Sequence, residues 1–136
     1  MRNEKKNGMG NAMIIIDTDV LIEIFDKKSQ KGDQALERIE QSGEDIAMTS
    51  VSLHEILYGL YKFEKKRISA VEKLETIEFS KEDAILSARL ELDAEQRGCP
   101  LSRTDAMIAA IALNRKAKLF TYNQKHFRSI PKLSLF

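Results

Sequence analysis

Four separated segments of this chain place small polar or acidic residues where a strand pattern meets a helix pattern. They are residues 14–19 (IIIDTD), 50–55 (SVSLHE), 102–110 (SRTDAMIAA) and 119–123 (LFTYN). Strands that alternate with helices favour an α/β fold, with a parallel sheet covered by helices on both faces. In such sheets ligands bind beyond the carboxyl ends of the strands. The pattern therefore predicts one site assembled from distant parts of the sequence.

Apolar periodicity predicts the remaining elements. Short apolar runs predict strands at residues 13–16, 46–48, 77–79, 119–121 and 133–136. Apolar residues at helical spacing predict helices around residues 20–25, 35–42, 53–61, 68–74, 85–97 and 106–113. The segment 106–113 is apolar nearly all round, so we expect it to be a central, buried helix.

Length and composition fit one globular domain. The chain has 136 residues, of which 43% are hydrophobic and 32% are charged, enough for a single core. Residues 1–12 are polar and are predicted to be a flexible segment, with Met13 as an alternative start, and 13–136 are predicted to form a single domain. No apolar run is long enough for a membrane span, and the single cysteine, Cys99, fits a reducing cytoplasm.

Three acidic residues follow or open these predicted elements, namely Asp17, Glu55 and Asp105. If they converge, their carboxylates repel one another unless a divalent cation lies among them, and Mg²⁺ or Mn²⁺ prefers such oxygen ligands. Each acid also has a local explanation: Asp17 suits a helix cap, and Ser52 and Ser102 each stand three residues before an acid, as in a capping box. Capping explains each position separately but does not explain their convergence.

The charges are unevenly distributed along the chain. All 21 acidic residues lie before position 106, although the net charge of the whole chain is only +1. This asymmetry indicates an anionic partner, while solvated charges near the C-terminus explain it equally well. The basic residues of the last segment are Arg115, Lys116, Lys118, Lys125, Arg128 and Lys132, and a second basic cluster comprises Lys62, Lys65, Lys66 and Arg67.

In their order and spacing, these segments resemble the PIN domain family, in particular the VapC-type toxins of toxin–antitoxin pairs. The resemblance covers residues 13–133 and rests on DTDVLI, TSVSLHEILYG, DAMIAAIAL and TYNQKHF followed by Ile-Pro. It implies a PIN-like three-layer fold in which a short parallel sheet is flanked by helices. It also implies a cytoplasmic, Mg²⁺- or Mn²⁺-dependent endoribonuclease that leaves 3′-hydroxyl and 5′-phosphate ends. The partners implied are RNA, a cognate antitoxin and a second copy of the chain.

The resemblance assigns roles to individual residues. Asp17, Glu55 and Asp105 match the three acidic metal ligands of the family. Thr18 matches the hydroxyl that follows the first aspartate, and Thr121 matches the polar residue at the end of the fourth strand.

The fourth motif departs from the family pattern. Asn123 stands where many PIN domains have aspartate, and His126 precedes Phe127 where an acid is common. An asparagine still holds a metal-bound water but supplies no charge, so the sequence leaves open whether one or two cations bind. The basic residues expected to hold the RNA backbone are Arg103, Arg115, Lys116 and Lys125.

Two other functions fit parts of the sequence. A haloacid dehalogenase-type phosphohydrolase opens with D-x-D-x-V, which Asp17 to Val20 match, but it also needs acids after a late strand, and none follows Asp105. A non-catalytic module that binds RNA or protein on the same fold is compatible with the uncharged Asn123. Only a nuclease is expected to cleave RNA with a metal ion.

The helix at residues 53–61 carries more apolar residues than one buried face needs. These residues are Leu53, Ile56, Leu57, Tyr58, Leu60 and Tyr61. A wide apolar surface favours an interface, which agrees with the homodimer implied by the resemblance, although all six also suit a core.

Overall fold

A five-stranded parallel sheet organises the protein. The computed structural model describes residues 12–63 and 69–136. Its strands are β1 (Met13–Ile16), β2 (Asp45–Thr49), β3 (Thr76–Ile77), β4 (Lys118–Phe120) and β5 (Ser134–Leu135). They are ordered β3-β2-β1-β4-β5, and every neighbouring pair is parallel. The strand order reverses between β1 and β4, which is where open α/β sheets bind ligands.

Seven α-helices connect these strands in the described residues. They are α1 (Thr18–Leu21), α2 (Gln30–Ser42), α3 (Ser50–Lys62), α4 (Ser69–Glu72), α5 (Lys81–Gln96), α6 (Arg103–Asn114) and α7 (Gln124–Phe127). A π-helical segment, Ile22–Lys27, continues α1 without a break. The apolar pattern predicted a helix around residues 20–25, which overlaps α1 and this segment, but it predicted neither the π-helical form nor the short α7. Ile68 and the predicted basic residues Lys65, Lys66 and Arg67 lie outside the described residues.

The apolar residues of the sheet are divided between two cores. Ile14 and Ile16 of β1 face a core that includes Val20 and Leu21 of α1, whereas Ile15 faces a second core built largely on α6. Alternation of this kind is the two-residue period of a strand that is buried on both faces. The three-layer α/β fold predicted from the sequence is therefore confirmed, as is the burial of the helix at 106–113.

Helix caps correct one expectation. Thr49, and not Ser52, is the N-cap of α3, and its side chain accepts a hydrogen bond from the Ser52 N–H. Glu55 is therefore too far along the helix to close a capping box. The reciprocal box lies instead at the start of α5, between Ser80 and Asp83.

Within residues 12–63 and 69–136, none of the helices combines the length and apolar character needed to cross a bilayer.

Candidate active site

Asp17 lies where the strand order reverses. Its backbone N–H donates to the carbonyl of Phe120 at 2.9 Å, which extends the pairing of β1 with β4. Its carboxylate is fixed at both oxygens: the Thr18 N–H donates to Oδ1 and the Thr121 hydroxyl donates to Oδ2, each at 2.8 Å. Only 5% of Asp17 is exposed. The side chain is thus buried and held in one orientation by neutral donors.

Burial, and after it the negative charges of Asp19 and Asp105, raises the pKa of Asp17 from 3.8 to about 7. The hydrogen bonds from Thr121 and Thr18 oppose this shift but do not cancel it. Titratable groups with pKa values displaced in this way cluster at functional sites. The raised pKa of Asp17 therefore indicates the same site that the strand pattern predicted.

Thr18 connects the first acidic segment to the second. Its hydroxyl donates to Glu55 Oε1 at 2.6 Å and lies 2.9 Å from the Ser52 hydroxyl. Because Thr18 also supplies the N–H that holds Asp17, one residue links the carboxylates of Asp17 and Glu55.

Asp105 lies in the first turn of α6. Ser102 caps this helix by accepting a hydrogen bond from the Asp105 N–H at 3.1 Å. The capping explanation therefore holds for the backbone of Asp105, while its carboxylate contributes charge at Asp17 and Asp19. A second contact of this carboxylate is with His126, whose Nδ1 lies 3.5 Å from Asp105 Oδ2.

The sequence analysis missed Asp19 as a member of this site. Its Oδ2 accepts a hydrogen bond from the Tyr122 N–H at 3.1 Å, whereas its Oδ1 is buried without a hydrogen-bond partner. Burial raises the pKa of Asp19, and the charge of Asp105 adds to the effect. An acid in the first turn of a helix is ordinary, so its position alone gave no signal.

The acidic side chains do not form a closed cluster. Within the described ranges, no three His, Cys, Asp or Glu side chains stand together as a ready-made metal cage. Asp17, Asp19 and Asp105 share one electrostatic environment, and Glu55 reaches it through Thr18. The arrangement is an open set of oxygen donors beyond the ends of β1 and β4.

Asn123 lies beyond β4 at the start of α7. Its backbone N–H donates to the Thr121 hydroxyl at 3.0 Å, and its side chain makes no capping hydrogen bond to α7. The same segment forms a shallow surface cleft that includes Lys125 and Arg128. Thr121, whose hydroxyl donates to Asp17, lines the same cleft.

The other three predicted RNA-binding residues lie in different surroundings. Arg103 makes two contacts of 3.2 Å with Glu91, and Arg115 pairs with the buried Asp83. Lys116 lines a cleft beside Ile130 that lies beyond the C-terminal end of α6. That end is about 15 Å from Asp105 at the usual rise per residue. Of the four, Lys125 alone lies in the cleft that contains Thr121 and Asn123.

Comparisons with known proteins agree with this fold. The PIN domain family model matches residues 14–133. Ribonuclease VapC2 of Rickettsia felis is 30% identical over 127 residues, which cover 89% of this chain and 94% of that protein. The crystal structure of VapBC2 from Rickettsia felis, bound to a promoter DNA fragment, aligns with a TM-score of 0.79 at 28% identity, over 91% of this chain and 97% of that one.

A toxin–antitoxin complex from Klebsiella pneumoniae also aligns, with a TM-score of 0.71 and 26% identity, over 88% of this chain and 94% of that one. The fold and the family model agree over nearly the full length, so this chain belongs to the PIN domain family. The resemblance seen in the sequence is confirmed, and the phosphohydrolase alternative loses its support.

Proposed function

We propose that this protein is a divalent-metal-dependent endoribonuclease and the toxin of a toxin–antitoxin pair, acting in the cytoplasm. The observation that carries the proposal is the buried Asp17 carboxylate, which neutral donors hold beside Asp19 and Asp105 where the strand order reverses. Similarity to a protein named ribonuclease VapC2 and to a toxin–antitoxin complex supports the substrate class and the biological role.

The donor set fits a hard divalent cation. Carboxylate oxygens are the ligands that Mg²⁺ and Mn²⁺ prefer, and the buried Oδ1 of Asp19 has no protein partner. Mg²⁺ usually keeps several waters and takes only one or two carboxylates, so an open site suits it better than a closed cage. Asp17, Glu55 and Asp105 would hold the cation, with Asp19 beside them. Such an ion supplies charge stabilisation at phosphorus and an acidified water.

The protein's own residues orient the reaction. Thr18 and Thr121 fix the Asp17 carboxylate at both oxygens, so the donor is already positioned before substrate arrives. Thr18 also fixes one oxygen of Glu55. Lys125 and Arg128 supply positive charge for the phosphates on either side of the scissile bond.

The test is RNA cleavage by the purified protein with Mg²⁺ or Mn²⁺. Asp17→Asn, Glu55→Gln and Asp105→Asn should each lower the cleavage rate by about 10³-fold or more, because the cation carries most of the charge stabilisation. Asp93→Asn is the matched control, since Asp93 forms a surface pair with Arg89 in the C-terminal half of α5.

Three outcomes would contradict the proposal. RNA binding without cleavage would identify a binding module, and turnover of small phosphate esters would identify a phosphohydrolase. Full activity of one acidic variant, with EDTA still inhibitory, would remove that residue from the site.

For the toxin role, induced wild-type protein should arrest growth and Asp17→Asn should not, and co-expression of the antitoxin should restore growth.

The exposed face of α3 supports a homodimer. Ile56 and Leu60 are buried, so part of the predicted interface belongs to the core. Tyr58 and Tyr61 are each 61% exposed on the same helix, a large aromatic area for a surface helix. Light scattering at micromolar concentration should give about twice 15.5 kDa, and Tyr58→Ser should lower this mass toward the monomer. A monomeric wild-type protein would contradict the proposed dimer.

A further inference from the structure

We propose that His126 is a nitrogen ligand of the cation at this site, and that its imidazole shifts metal preference from Mg²⁺ toward transition-metal ions such as Mn²⁺. The inference rests on the metal binding of the proposed function. It adds one donor that is not a carboxylate. This donor lies on the four-residue helix α7 and faces Asp105.

The spacing between His126 and Asp105 suits two ligands of one ion. Nδ1 of His126 lies 3.5 Å from Oδ2 of Asp105, which is longer than the 2.7–3.2 Å of an ordinary N–H···O hydrogen bond. Neighbouring donor atoms in an octahedral shell with bonds of about 2.1 Å lie roughly 3 Å apart. A small inward turn of one side chain is enough to reach that separation.

The backbone beneath His126 holds it beside the first turn of α6. Phe127, the next residue, is 1% exposed and packs in the same core as Ala106 of that turn. The His126 N–H donates to the Asn123 carbonyl at 3.0 Å. The imidazole itself is half exposed, at 51%, so it is free to rotate while the backbone stays in place.

The chemistry of the donors gives the expected selectivity. Asp17, Glu55 and Asp105 offer only oxygen, which suits Mg²⁺ and Mn²⁺ alike. An imidazole nitrogen is a borderline donor that transition-metal ions accept more readily than Mg²⁺ does. Adding one nitrogen to an oxygen set therefore strengthens Mn²⁺ binding more than Mg²⁺ binding.

The direct test is pulsed electron paramagnetic resonance of Mn²⁺ bound to the full chain. Nitrogen-14 modulation from a coordinated imidazole is expected in the wild-type protein and should be lost in His126→Ala and His126→Gln. The chain has only two histidines, so His54→Ala is a matched control; His54 is exposed on α3 and should leave the modulation unchanged. Thermal unfolding of each variant without metal checks that it is folded.

The second test measures the binding of Mn²⁺ and of Mg²⁺ by titration calorimetry. His126→Ala should weaken Mn²⁺ binding by at least about tenfold and change Mg²⁺ binding much less. His126→Asp restores an oxygen donor, so it should strengthen Mg²⁺ binding and reduce the preference for Mn²⁺.

The outcomes separate this inference from the proposed function. Mn²⁺ that binds and supports RNA cleavage without nitrogen modulation would overturn the role of His126 and leave the nuclease intact. Nitrogen modulation that depends on His126 in a protein that cleaves no RNA would support the ligand and overturn the nuclease. Modulation that persists in His126→Ala, or a failure of Mn²⁺ to bind at all, would overturn the inference.

Discussion

Two buried aspartates, Asp17 and Asp83, show how differently one residue type is used in this protein. Asp83 is 0% exposed and closes the capping box of α5 with Ser80. Its Oδ1 accepts hydrogen bonds from Arg115 at 2.5 Å and Asn114 at 2.7 Å, and its Oδ2 accepts one from the Ser80 N–H at 2.9 Å. Burial alone would raise its pKa, but these hydrogen bonds outweigh burial and lower it.

Asp17 is almost equally buried, yet its surroundings have the opposite effect. Its two donors are neutral, its charged neighbours are Asp19 and Asp105, and its pKa is raised to about 7, first by burial and then by Asp19. The comparison teaches that burial does not distinguish a structural carboxylate from a functional one. The partners do: Asp83 is paired with Arg115, whereas the hydrogen-bond donors of Asp17 are the neutral groups of Thr18 and Thr121, as the proposed metal site requires.

The largest expected difference is in catalysis. Asp17→Asn should lower RNA cleavage by about 10³-fold or more, whereas Asp83→Asn should retain the activity of whatever fraction remains folded. Rates normalised to the folded fraction, measured by circular dichroism, make the comparison. Equal losses in the two variants would erase the distinction between the two carboxylates.

The second difference is in stability. Asp83→Ala leaves Arg115 without its carboxylate partner and removes the side-chain half of the capping box with Ser80, so it should lower the free energy of unfolding by about 3–5 kcal/mol. Urea unfolding of the metal-free protein measures this loss. Asp17→Asn in the same experiment should be at least as stable as the wild type at pH 8, because it removes an unpaired buried charge.

The third difference is in pH dependence. A raised pKa means that the folded state of Asp17 binds a proton more tightly than the unfolded chain does. The stability that Asp17 contributes is therefore complete below pH 3.8 and is lost as the pH rises to about 7. Relative to Asp17→Asn, the metal-free wild type should lose roughly 2–4 kcal/mol over this range.

The sign is reversed for Asp83, whose pKa is lowered in the folded protein. Its contribution is present above its ordinary pKa of 3.8 and is lost as the pH falls through the lower, folded value. Unfolding curves of the wild type and of both variants at several pH values measure the two slopes. Slopes of the same sign would contradict the assignment of one aspartate.

The smallest effect concerns Asn123, which borders the site without contributing charge. Asn123→Ala should lower cleavage by less than about tenfold, far less than Asp17→Asn does. Asn123→Asp should keep activity and move the metal titration to lower concentration, because added ligand charge strengthens the binding of a hard cation. Inactivity of Asn123→Ala would place Asn123 among the primary catalytic residues, and an unmoved titration would show that its side chain does not face the metal.

The sequence predicted what depends on local pattern. Asp17 follows an apolar strand and Asp105 opens an apolar helix, so the apolar pattern that predicts each element lies next to the acidic residue. Arg115 illustrates the opposite case, because it looked available for RNA but pairs with Asp83, which is 32 residues away in sequence. A count of charges shows that Arg115 is basic. It does not show that Arg115 is paired, because only the packing of α5 on α6 brings Asp83 next to it.

The sequence analysis gave no site role to Asp19 or His126, for related reasons. The position of Asp19 in a first helical turn is common, and only its unpartnered, buried Oδ1 distinguishes it. The distance from His126 to Asp105 depends on how α7 packs against α6, and the apolar pattern did not predict α7 at all. The contacts between elements, and in the case of α7 the element itself, are therefore what the sequence did not provide.

The candidate site has a fixed part and an exchangeable part, and the exchangeable part lies on and next to the short helix α7. Asp17 is buried at the end of β1 and held by Thr18 and Thr121, and Asp105 lies in the first turn of α6. Asn123 and His126 are exposed on a segment that the buried Phe127 anchors. Substitutions at these two positions alter the donors offered to an ion without disturbing the rest of the chain. At the proposed metal site, single substitutions of Asn123 or His126 would therefore change the metal requirement of this chain and leave it folded.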